Sequence, residues 1–272
     1  MVSQAASSSR AEQERVVLLD LDGVVWLSHR PIEGAVDGIA RLRAAGFRVL
    51  FVTNNSASTI AEQEHALQAI GVPAEGDVLT SALAGAVLVQ SGDRVLVCGG
   101  PGLVEAIEAR GATVVDDWPC EAVVVGFHRT FDYDGLRRAA GAAYRGARLI
   151  GTNDDATYPT PDGPIPGGGA ILAAVAVGSG VTPVVAGKPH GPMAQLVRSA
   201  VGDRAAAAAV MVGDRPSTDG LFAMELGCRY AQVWSGVTPF GAEVEPAPHL
   251  TGAHLGQIAD QLLAELAALG ES

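Results

Sequence analysis

Apolar residues in this chain come in short unbroken runs, and each run is closed at its C-terminal end by polar or charged residues. Val16 to Leu19 is the first, four consecutive aliphatics running into Asp20, Leu21, Asp22 and Gly23. Such a run predicts a strand buried on both faces, the habit of a parallel sheet covered by helices. Ala35 to Ala45, with Val36, Ile39, Ala40 and Leu42 on one face, predicts a helix ended by Gly46. Arg48 to Val52 is a second buried strand, and it ends in Thr53, Asn54, Asn55 and Ser56. A strand, helix, strand order makes a parallel unit, so both strands finish on one edge of the sheet and Thr53 and Asn54 arrive beside Asp20. The next helix is predicted over Ile60 to Ala69. Hydroxyl, amide and backbone N–H groups at its start suit a phosphate, although the same cluster also suits a plain helix N-cap.

From Leu79 the pattern becomes a second α/β layer of its own. Helices are predicted at Ser81 to Gln90, Gly102 to Arg110 and Tyr133 to Tyr144, and strands at Arg94 to Cys98, Thr113 to Val115, Ala122 to Gly126 and Leu149 to Thr152. The loop from Asn153 to Gly169 is the most irregular stretch, with four prolines and three successive glycines before an apolar helix from Ala170. Long loops of this kind are functional, or else surface excursions. Val184 to Ala186 and Val210 to Val212 return to the opening pattern and are expected as a third and fourth strand of the first sheet, with Met193 to Val201 as the helix between them. They would bring Lys188, and Gly213–Asp214 with Thr218 and Asp219, to the edge that holds Asp20.

Several side chains there carry chemistry. Asp20 and Asp22 are two apart in extended chain, so their side chains reach one small volume. Together they could hold a cation, or one could attack an electrophile while the other handles protons; alone they also fit an Asp-rich turn. A third and fourth acid, Asp214 and Asp219, are excessive for a turn and suit Mg2+, which takes oxygen ligands. Of 18 basic residues 17 are Arg, so Lys188 is the sole lysine. It would partly neutralise the acids and hold an anionic substrate. The Gly99–Gly102 turn does not complete a dinucleotide fingerprint, because Glu105 stands where the third glycine belongs.

Composition narrows the class. The chain has 272 residues, 48% of them hydrophobic, enough for one large or two ordinary domains. A net charge of −12 argues against a nucleic-acid surface. Cys98, Cys120 and Cys228 stand far apart in no CxxC spacing and read as reduced residues of a cytoplasmic protein. Residues 1–14 are polar, without the apolar core of a signal peptide, and read as a flexible terminus. No apolar run reaches membrane-spanning length.

Asp20-Leu-Asp22-Gly23-Val24, Thr53, Lys188 and Gly213–Asp214 with Asp219, in that order, resemble the four motifs of the haloacid dehalogenase (HAD) superfamily of phosphotransferases. Between Asp20 and Thr53 there is no room for an insertion, whereas the 135 positions from Thr53 to Lys188 hold the second α/β layer. That arrangement resembles class IIA, the branch with NagD-like, 4-nitrophenylphosphatase-like, phosphoglycolate and pyridoxal phosphate phosphatases; Ser235-Gly236-Val237-Thr238 fits it too. The resemblance implies an α/β fold: a doubly wound, Rossmann-like core of residues 15–79 and 185–268, with an inserted α/β cap of the C2 type at 80–184. It implies Asp20 as nucleophile and Asp22 as the acid and then base. Mg2+ would sit on Asp20, Asp214 and the Asp22 carbonyl, with Asp219 orienting its waters. Thr53, Asn54 and Lys188 would bind the transferring phosphoryl group, and Asn55, Asn153 and Asp154 would help select the substrate. Pro216–Ser217 departs from the last motif. The implied activity is a phosphatase acting on a small phosphorylated metabolite, with glycerol 3-phosphate or 2-phosphoglycolate favoured. Pyridoxal phosphate or nucleotides, or a catalytically silent sugar-phosphate-binding protein, are the alternatives. A homodimer through the cap is a further expectation.

Overall fold

The computed structural model describes residues 14–158, 160 and 163–270. The expected flexible terminus, apart from Glu14, lies outside the described residues, as do Pro159, Pro161 and Asp162 of the long loop. The chain opens with β1 (Arg15–Leu19), a small hairpin of β2 (Trp26–Leu27) and β3 (Arg30–Pro31), α1 (Ala35–Ala44), β4 (Phe47–Thr53), α2 (Ile60–Ala69) and β5 (Val78–Thr80). It continues through α3 (Ser81–Val87), β6 (Arg94–Cys98), α4 (Pro101–Ala109), β7 (Thr113–Val115), β8 (Ala122–Val125), α5 (Tyr133–Tyr144), β9 (Arg148–Gly151), β10 (Thr157–Tyr158), β11 (Ile165–Pro166), α6 (Gly168–Ser179) and β12 (Val184–Val185). It closes with α7 (Gly191–Val201), α8 (Asp203–Ala207), β13 (Val210–Gly213), a π-helical turn at Pro216–Gly220, α9 (Leu221–Leu226), β14 (Arg229–Val233), β15 (Leu250–Gly252) and α10 (Leu255–Gly270).

Two parallel sheets result. The first has the order β15-β14-β13-β1-β4-β5 and the second β12-β9-β8-β6-β7. Along β1 the side chains alternate: Val17 and Leu19 pack with Ile39, Leu42, Leu67 and Ile258 under α1, α2 and α10, while Val16 and Leu18 pack with Met193, Val197 and Phe222 under α7 and α9. This two-sided burial is why the strand reads as an unbroken aliphatic run. The second sheet is covered likewise, with Leu96, Val123 and Leu149 facing α5 and α6, and Val95, Val124 and Ile150 facing α3 and α4.

Two expectations need correction. Val184–Val185 is not a strand of the first sheet; it pairs in parallel with β9 at the edge of the second, so the core sheet passes from β1 directly to β13. A run this short has no alternation that could assign it to one sheet or the other. The Thr53–Ser56 cluster does not cap α2 either. Thr59 does so, in a capping box with Glu62: the Glu62 N–H donates to Thr59 Oγ1 at 3.2 Å and the Thr59 N–H to Glu62 Oε2 at 2.9 Å. Thr53 instead ends β4, and residues 54–56 form the loop beyond it at the sheet edge, where Ser56 is buried.

Where that loop goes on to Thr59, the second sheet's layer docks on it. The Gly102 N–H donates to the Ala57 carbonyl at 2.9 Å, and a Cβ on Gly102 would stand 2.0 Å from the Ser58 carbonyl oxygen. The glycines that resembled a dinucleotide turn serve this close approach of two backbones.

Candidate active site

The C-terminal ends of β1, β4 and β13 converge, the edge at which open parallel sheets bind their ligands. Asp20 follows β1, and its N–H donates to the Val212 carbonyl at 3.0 Å, which ties the start of the acidic turn to the neighbouring strand. Gly23 turns the chain away at φ +92°, a conformation open to glycine; a Cβ there would also meet Asp214 Oδ2 at 2.5 Å. Asp214 follows β13. Asp219 comes from the π-helical turn, which accommodates the Pro216–Ser217 departure: it stays 1% exposed and accepts the Arg215 N–H at 3.1 Å.

Lys188 lies between them. Its ammonium donates to Asp20 Oδ1 at 2.8 Å and to Asp219 Oδ1 at 2.7 Å, and the residue is 1% exposed. It arrives from the loop after β12 and not from a core strand. Asn54 fixes it there, accepting the Lys188 N–H on Oδ1 at 2.8 Å and donating from Nδ2 to the Lys188 carbonyl at 3.0 Å. Thr53 is buried at the end of β4 and accepts the Asn55 N–H at 3.1 Å. Asn55 Oδ1 in turn accepts the Ala57 N–H at 2.9 Å.

The carboxylates of Asp20, Asp214 and Asp219 each offer an oxygen within 4.8 Å of the others. Burial pushes Asp20 well up, against the pull of Lys188, and Asp219 and Asp214 add to the rise. Burial, then the Asp219 charge, pushes Asp214 up to about 6. Three hard oxygen donors crowded out of water and repelling one another fit a divalent cation of the Mg2+ type. The Asp22 carboxylate stands outside this trio and is also raised, chiefly by burial. Burial alone would lower Lys188, but its two carboxylate partners outweigh it and hold the ammonium above its ordinary range.

A cleft of about 650 Å³, counting its open mouth, is lined by these residues together with others from the second sheet's layer. Asn153 reaches it, 3% exposed, with Nδ2 donating to the Asn54 carbonyl at 2.8 Å. Asp154 does not. It is exposed, and its Oδ2 lies 3.0 Å from His190 Nε2; that bond holds the Asp154 carboxyl below its usual range and His190 above. The inward residue is Asp155, which accepts from Asn54 Nδ2 at 2.9 Å and from Arg215 Nη1 at 3.3 Å. Arg215 and Phe127 are further lining residues that motif spacing missed; Arg215 adjoins Asp214 in sequence, while Phe127 stands out by nothing but its place after a buried strand. Phe127 stacks on Tyr158, ring centroids 5.3 Å apart and 17° from parallel, which gives the cleft an aromatic wall. Burial pushes the Tyr158 phenol up to about 12, and it stays a neutral donor.

Two family models match, one described as haloacid dehalogenase-like hydrolase over residues 17–113 and one as HAD-hydrolase-like over residues 185–258. The chain is 35% identical to an acid sugar phosphatase of Staphylococcus saprophyticus, covering 82% of this chain and 88% of that protein. It is 36% identical to a D-glycerol 3-phosphate phosphatase of Mycobacterium tuberculosis, covering 91% of this chain and 70% of that one. A crystal structure of a glycerol phosphate phosphatase from Mycobacterium tuberculosis in complex with magnesium superposes with a TM-score of 0.80 at 34% identity, over 89% of this chain and 75% of the other. The first model takes in the turn with Asp20 and Asp22 and the second the turn with Asp214 and Asp219; with a relative 35% identical over most of both chains, the chain belongs to the haloacid dehalogenase-like hydrolases.

Proposed function

We propose that the chain is a Mg2+-dependent phosphatase of small phosphomonoesters, with the layer built on the second sheet (residues 80–184) as its cap and residues 15–79 and 185–268 as its core. One observation carries this: the buried ammonium of Lys188, 2.8 Å from Asp20 and 2.7 Å from Asp219, inside a cluster of carboxylates at the ends of parallel strands. Asp20 attacks phosphorus and forms an aspartyl-phosphate as the bond to the leaving oxygen breaks; Asp22, whose carboxyl burial pushes up, gives that oxygen its proton. Asp22 then takes a proton from water, which attacks the same phosphorus, releases inorganic phosphate and restores Asp20. Lys188, Thr53 and the backbone of Asn54 hold the transferring oxygens, where charge stabilisation does most of the work. A Mg2+ ion held by Asp20, Asp214 and the Asp22 carbonyl, with Asp219 beside it, would supply charge neutralisation at the phosphoryl group.

Charge in the cleft speaks to the leaving group. Among the lining residues the cations are Lys188 and Arg215, and both are engaged by carboxylates. With no lining cation left for a substrate carboxylate, a neutral polyol is preferred: glycerol 3-phosphate or a sugar phosphate ahead of 2-phosphoglycolate. Asn153 and Asn55 offer polar contacts, and the Phe127–Tyr158 stack an apolar wall for the carbon chain. The same stack is the feature that would favour an aromatic leaving group such as that of pyridoxal phosphate. The test is phosphate release with and without Mg2+ from a panel of glycerol 3-phosphate, sugar phosphates, 2-phosphoglycolate, pyridoxal phosphate and a nucleotide, compared by kcat/KM. Glycerol or sugar phosphates are expected first; no Mg2+-dependent release from any of them would leave the silent binding protein as the reading.

No helix among the described residues is long and apolar enough to cross a membrane. The three free cysteines support a cytoplasmic location. Tyr133, Tyr144 and Val177, each at least 78% exposed on α5 and α6, support pairing of two caps in a homodimer, which sedimentation would show as twice the monomer mass.

A further inference from the structure

We infer that Ser235 and Thr238, on the loop after β14, are positioning residues that clamp the two acidic turns of the metal site together. The inference rests on the reading above that a divalent cation sits among Asp20, Asp214 and Asp219; the reaction itself gives these two residues no role. Thr238 Oγ1 donates to the Asp214 carbonyl at 2.5 Å, and Gln232 Nε2 donates to the same oxygen at 3.0 Å. Between Ser235 and Thr238 the Val237 N–H donates to Asp214 Oδ2 at 2.6 Å, which fixes the plane of the carboxylate. Gly236 lies so close that a Cβ would stand 1.9 Å from that oxygen. At the other end of the loop Ser235 Oγ donates to the Gly23 carbonyl at 2.6 Å, in the turn that follows Asp22. Gln232 is fully buried and is itself oriented by the Tyr230 hydroxyl, which donates to its Oε1.

One four-residue loop therefore grips Asp214 by backbone and side chain and ties it to the turn carrying Asp20 and Asp22. Outer contacts of this kind set how well ligands are presented to an ion. Both hydroxyls make neutral bonds to carbonyls, so removing either changes the order of the ligands and not the charge of the site. A purely electrostatic account of metal affinity assigns them nothing.

The test uses the full chain without substrate. Mg2+ is titrated calorimetrically into the parent and into Ser235→Ala, Thr238→Val and Thr238→Ser, and the metal-free thermal midpoint of each is measured. Ser235→Ala and Thr238→Val are expected to weaken Mg2+ binding by about 10-fold or more, the cost usual for lost outer contacts. Thr238→Ser, which keeps the hydroxyl, is expected to bind within about threefold of the parent, with metal-free midpoints similar throughout. Parental affinity in Ser235→Ala and Thr238→Val overturns the clamp alone, and so does a Thr238→Ser variant as weak as Thr238→Val, since the methyl packing would then be what matters. If Thr238→Val does not fold, Ser235→Ala decides the matter from the other tie. A parent that binds no Mg2+ overturns the metal-site reading and the clamp with it.

Discussion

Lys188 shows how much one side chain can say. A chain that uses Arg at 17 of its 18 basic positions keeps a lysine at the one place where the cation is 1% exposed and bonded to two carboxylates. An ammonium is compact enough to fit between Asp20 and Asp219, whereas a guanidinium is planar, wider and set to bind as a fork. Lys188→Arg should therefore lower kcat by about 10- to 1,000-fold through a displaced phosphoryl contact, with the charge kept and the thermal midpoint nearly unchanged. Near-parental turnover, measured beside that midpoint, would mean the lysine is there by accident. The residues legible from sequence share one property: they sit immediately after a buried aliphatic run, as Asp20, Thr53 and Asp214 do, or within a motif of fixed spacing. Asp154 and Asp155 are adjacent on a loop with no periodicity to say which faces the cleft; the Asn54 amide and Arg215 hold Asp155 there, while Asp154 is exposed. Phe127 was missed because an aromatic after a strand is ordinary until its partner, Tyr158, is brought against it.

Elements were legible where clear breakers bound them. Helices α2 and α5 and strands β6 and β7 fall on their predicted limits, since each runs between clear breakers. The β2–β3 hairpin was not predicted, because its turn is made by Ser28 and His29 at φ 49° and 62°, without the Asn-Gly signal of such turns. The two-residue strand β12 belongs to the second sheet and not, as its aliphatic run suggests, to the first, although Lys188 still reaches the site because Asn54 captures the backbone that follows it. The glycines at the head of α4 gave a false nucleotide signal for a physical reason: close approach to a phosphate and close approach to another backbone both require the absence of a Cβ. The consequence is testable. Gly102→Ala would push a methyl to 2.0 Å from the Ser58 carbonyl oxygen and force α4 off its seat, which should cost about 1–3 kcal/mol in a denaturant titration. Gly141→Ala in α5, where the nearest neighbour is the flexible end of Arg145 at 3.0 Å, should be neutral or stabilising through helix propensity. Equal effects of the two changes would show that α4 has room to spare.

At the scale of the molecule, an acidic chain concentrates buried carboxylates where its two sheets' layers meet, and stability and function are linked through them. For Asp214 the sign follows from proton counting. Its carboxyl is ordinary at 3.8 in the unfolded chain and about 6 in the folded one, so between these values the folded state binds more protons. Its contribution is thus fully present below pH 3.8 and is lost as pH rises through about 6; Asp20, raised by burial in the same direction, adds to the loss. The metal-free protein at neutral pH accordingly keeps Asp214 ionised at a cost in folding free energy, and a cation that binds the ionised folded form offsets it by mass action. Stability profiles from pH 4 to 8, for the parent and for Asp214→Asn with and without Mg2+, separate this group from every other acid in the chain. Without metal, the parent should lose stability relative to Asp214→Asn as the pH rises through about 6, because the amide has no charge to bury. With Mg2+, the parent should gain over the variant in the same interval. Parallel metal-free profiles would show that Asp214 is not strained by its burial, and the crowding of carboxylates would then lose its place as the reason this cleft takes a cation.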